Sequence, residues 1–119
     1  MYTQGVATIV LAEAYAMTQD ERLENPAQLA LYFVEQAQDP VGGGWRYSPK
    51  QSGDTSCVGW QFMALKSGNM ANLKINPTTI KKGLQFLDSM QSDSGAKYGY
   101  MAPEPAYAAT TAIGLLCRI

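Results

Sequence analysis

The chain has 119 residues, 46% of them hydrophobic and 16% charged, with a net charge of -1 and no histidine. That length and composition suit one globular domain and exclude the basic surface that nucleic acid or an anionic membrane would require. Without histidine, the commonest general base and a frequent zinc ligand are missing, so neither a metal nor another cofactor is expected.

The pattern predicts five helices and no sheet. The first runs from about Thr3 to Thr18 and is apolar on most sides. Its apolar stretch Val6–Met17 is short and contains Glu13, which makes it a poor membrane span. Next comes "NPAQ": Asn25 as N-cap, Pro26 at the first helical position and Gln28 completing a capping box, which predicts a helix over about Pro26–Gln38. "DPVGGGWRYSPKQSG" is a loop by its glycines and prolines. Asp54 then caps a third helix, about Thr55–Lys66, with a stop at Ser67-Gly68. Asn76-Pro77 repeats the Asn-Pro start and opens a fourth helix to about Gln91. A second loop with Pro103 and Pro105 leads to a fifth helix from about Ala106 to the end.

These helices alternate in character. The second and fourth carry one apolar stripe and a polar face, the signature of a helix with one side to water. The first, third and fifth are apolar nearly all round, which predicts enclosure on most sides. Cys57 and Cys117 fall in such apolar runs, form no disulfide framework and read as small core residues.

The chain repeats itself. Ala30, Phe33, Gln38 and Trp45 match Gly83, Phe86, Gln91 and Tyr98, each pair 53 residues apart. Both copies end aromatic-x-aromatic, as Trp45-Arg46-Tyr47 and Tyr98-Gly99-Tyr100. A period of this length describes stacked helical hairpins that need neighbours to bury their faces.

Lys82-Gly83-x2-Phe86-Leu87-x3-Gln91-x3-Gly95 closely resembles the QW motif of the triterpene cyclases, and Gly43-Gly44-Trp45 fits its glycine-tryptophan end. The chain, over about residues 3–119, is similar to a piece of the prenyltransferase/squalene-oxidase repeat superfamily, which includes squalene cyclases and protein prenyltransferase β subunits. The resemblance implies an all-α fold of stacked hairpins from an incomplete α/α toroid. Its repeat units would be about 3–53, 54–105 and a truncated 106–119, with inner helices around an apolar cavity. It further implies that Gln38, Trp45, Gln91 and Tyr98 fasten hairpins together, the glutamine to the next repeat's backbone and the aromatic ring by packing. A buried amide must be hydrogen-bonded and a large ring covers much apolar area, so a structural role also follows from chemistry alone.

Catalysis is harder to find in these residues. The cyclases protonate substrate with an Asp-x-Asp-Asp-Thr stretch before an inner helix. Here the matching residues are "QSGDT": Asp54-Thr55 fits the end, but Gly53 stands where the proton donor would be. Asp54 is therefore only a weak catalytic candidate, and its simpler reading is a helix N-cap. The Asp54-x2-Cys57 spacing differs from the Asp-x-Cys of zinc prenyltransferases, and no histidine completes such a site. Trp60, Phe62, Met63 and Tyr107, with Ile113, lie on helices expected to be enclosed, and in a toroid some would contact an apolar, isoprenoid-like ligand.

Two functions of different class follow. One is a segment walling an apolar cavity in a longer parent protein, without complete catalytic machinery of its own. The alternative is a non-catalytic repeat module for protein binding or assembly. The terminal helices offer Val6, Ile9 and Val10 at one end and Ile113, Leu115 and Leu116 at the other, without a polar cap. The expectation is a fragment that self-associates through those ends.

Overall fold

In the computed structural model, which describes residues 1–119, five helices form the protein: α1 (Tyr2–Thr18), α2 (Glu21–Ala37), α3 (Thr55–Met70), α4 (Pro77–Ser89) and α5 (Ala108–Arg118). The fold is all-α. Its one departure is a two-residue antiparallel pair, β1 (Gln91–Ser92) with β2 (Lys97–Tyr98), Gln91 facing Tyr98. This small ladder forms where the predicted second loop turns back, through positive-φ residues Asp93, Ser94 and Gly95. No helix is long and apolar enough to cross a membrane.

Helix α3 is the centre. It packs α1 on one flank and α5 on the other, while α2 and α4 also lie against it. Glycines set these approaches. A Cβ on Gly5 of α1 would lie 3.0 Å from Trp60 Cβ, and one on Gly59 of α3 would lie 2.5 Å from Ile113 Cγ2 of α5. The core joins Leu31, Val34 and Ala37 of α2 to Val58, Phe62 and Leu65 of α3 and Phe86 and Leu87 of α4, around Trp45 and Tyr98 from the loops. Cys57 and Cys117 are buried and unpaired with each other.

Several boundaries differ from the sequence reading. Helix α2 begins at Glu21, five residues before Pro26, because Asp20 rather than Asn25 caps it, accepting from the Arg22 N–H. Pro26 sits inside the helix, where it removes one backbone bond without breaking the run. Gln28 makes no capping box. Its side chain clasps the Lys74 backbone, with Nε2 on the carbonyl and Oε1 under the N–H, both at 2.8 Å. At the second Asn-Pro pair the expected start does occur, with Asn76 Oδ1 accepting from the Thr78 N–H. Helix α3 continues through Ser67-Gly68 to Met70. Gly68 serves packing instead of termination: a Cβ there would lie 2.5 Å from Leu31 Cδ1. Helix α4 ends at Ser89 and α5 begins at Ala108.

Enclosure also differs. Only α3 is covered on most sides. Helix α1 buries Gly5, Thr8 and Ala12 alone, and α5 buries Thr110, Gly114 and Cys117 alone. Val6, Val10, Leu115 and Leu116 are exposed, while Ile9 and Ile113 are half-buried. Helix α1 packs against α2 and α3, and α5 against α3 and β2, which leaves the remaining side of each open.

Candidate functional site

The repeated glutamines occupy equivalent places with different partners. Gln38 follows α2, and its buried Nε2 donates to Gly43 O at 2.8 Å and to Thr79 O at 2.9 Å. The second bond crosses to the first turn of α4. Gln91 donates instead to the Tyr98 hydroxyl within its own loop, at 2.8 Å. Trp45 is fully buried, donates Nε1–H to Val34 O at 2.8 Å and meets Phe62 edge-on, with centroids 6.4 Å apart. Tyr98 is buried likewise, and its hydroxyl also accepts from Arg118 Nε at 3.1 Å. Backbone geometry requires glycine at the first turn: Gly43 has φ +80, and a Cβ there would lie 2.3 Å from Lys82 O.

Polar groups gather at the N-terminal end of α3. Asp54 is completely buried and is the helix N-cap, with Oδ1 accepting from the Cys57 N–H at 2.8 Å. Its other oxygen, Oδ2, has no hydrogen-bond partner, and neither has Arg46 Nε, which stands 3.7 Å away. The Arg46 guanidinium lies over the Tyr47 ring, 5.3 Å from its centroid. Tyr47 and Tyr100 meet through their hydroxyls, and Tyr2 stacks on Tyr47 at 6.1 Å. The Tyr47 hydrogen bond, with burial and the Asp54 charge behind it, pushes the Tyr100 phenol well above its ordinary value. Burial is the main cause that raises Cys57 to about 12, so this thiol stays protonated and is a poor nucleophile. Of this cluster the sequence reading singled out Asp54. Arg46, Tyr47 and Tyr100 were visible only as part of the repeated aromatic-x-aromatic ends, and Tyr2 carried no signal. No group of three or more histidine, cysteine, aspartate or glutamate side chains stands together as a metal cage.

The four residues proposed to face a ligand separate. Trp60 is 42% exposed on α3, with half-buried Met63 one turn further along the same side. Tyr107, at the N-cap of α5, is 54% exposed. Phe62 is different. It turns into the core against Trp45 and Gly83, because it lies on the helix face that meets α4. This side of α3 therefore brings together Trp60 and Met63, without Phe62.

A groove of about 750 Å³ lies between α3, α4 and the end of α5, lined by Phe62, Leu65, Met70, Ile75, Ile80 and Cys117 among others, so the edge of Phe62 borders this groove and not the Trp60 side of α3. No protein-family model, curated protein or solved structure matches this chain.

Proposed function

We propose that this chain is a repeat segment of the prenyltransferase/squalene-cyclase type whose α1–α3–α5 layer walls a cavity for an apolar, isoprenoid-like ligand. Trp60 carries the reading. It lies on the most enclosed helix of the protein, yet it is 42% exposed. A large aromatic left exposed beside Met63 offers apolar area. The chain supplies the wall and not the reaction. Gly53 occupies the place of the proton donor, and the Asp54 carboxylate is engaged as a helix cap.

Farnesol, a fifteen-carbon isoprenoid alcohol, is a suitable probe. Trp45 is buried and Trp60 is open, so binding should shift the emission of Trp60 alone. A saturable blue shift is expected in the wild type and absent in Trp60→Phe. No shift in the wild type, or the same shift in Trp60→Phe, would overturn the reading.

A further inference from the structure

We draw no further inference here: the strongest candidate, the apolar groove between α3, α4 and the end of α5, has its cations already engaged, Lys66 on Leu116 O and Arg118 on Asp88, and nothing in the structure shows what covers it.

Discussion

Tyr47 and Tyr100 stand 53 residues apart in the chain, and their hydroxyls meet at 3.3 Å. Two residues one sequence period apart thus touch in space. The contact is half in solvent, so it should contribute little. Tyr47→Phe and Tyr100→Phe are each expected to cost under about 1 kcal/mol, the ordinary net value of an intramolecular hydrogen bond. A double-mutant cycle in urea should show the two losses to be less than additive, because one bond is removed twice.

The two repeated glutamines should not be equivalent on substitution. Gln38→Ala leaves Gly43 O without its partner, and cuts the link from α2 to α4, in a buried place. About 1–3 kcal/mol is expected, the cost of stranding buried polar groups. Gln91→Ala loses one bond to a hydroxyl that Arg118 still serves. Its denaturation midpoint should move by less than half as much. Equal shifts would mean that the link to Thr79 contributes nothing.

Aromatic and glycine substitutions test the same joint from both sides. Trp45→Ala empties a fully buried site and should cost roughly 3–5 kcal/mol. Gly83→Ala puts a methyl 2.4 Å from Phe62 Cε2, and should cost about 1–3 kcal/mol by overpacking. Urea unfolding read by near-ultraviolet circular dichroism, which reports Trp45, measures both.

Asp54 separates capping from charge. Asp54→Ala removes the acceptor for the Cys57 N–H and should cost about 0.5–2 kcal/mol, the range of a lost N-cap. Asp54→Asn keeps an oxygen for that bond and should retain most of the stability. If Asn proved as damaging as Ala, the pairing of Oδ2 with Arg46 would be the larger contribution.

Alkaline pH should unfold the protein through its thiols. Burial raises Cys57 from an ordinary 9.0 to about 12, and Cys117 to about 11. The unfolded chain therefore gives up these protons first. Their contribution is fully present below about pH 9 and is lost as pH rises toward 11 to 12. Thermal midpoints should fall across that window, and Cys57→Ala should fall less steeply than the wild type relative to its own value at pH 8.

Local chemistry in the sequence was enough to place five helices and some of their ends. Asp54 and Asn76 cap where they were expected to, because a cap is decided by one side chain and the N–H groups two or three residues on. The same reasoning failed at Asn25, since Asp20 offered an earlier cap and α2 tolerated Pro26 in its second turn. The 53-residue period pairs residues along the chain. It could not tell their environments apart. Phe33 and Phe86 share a motif position, but only Phe86 has a glycine turn beneath it. Phe62 reads like Trp60 in an apolar helix, yet one faces the core and the other lies exposed. Periodicity records which side chains are apolar, and burial depends on whether another element arrives at that face. Only the packing of α3 between its neighbours decided that.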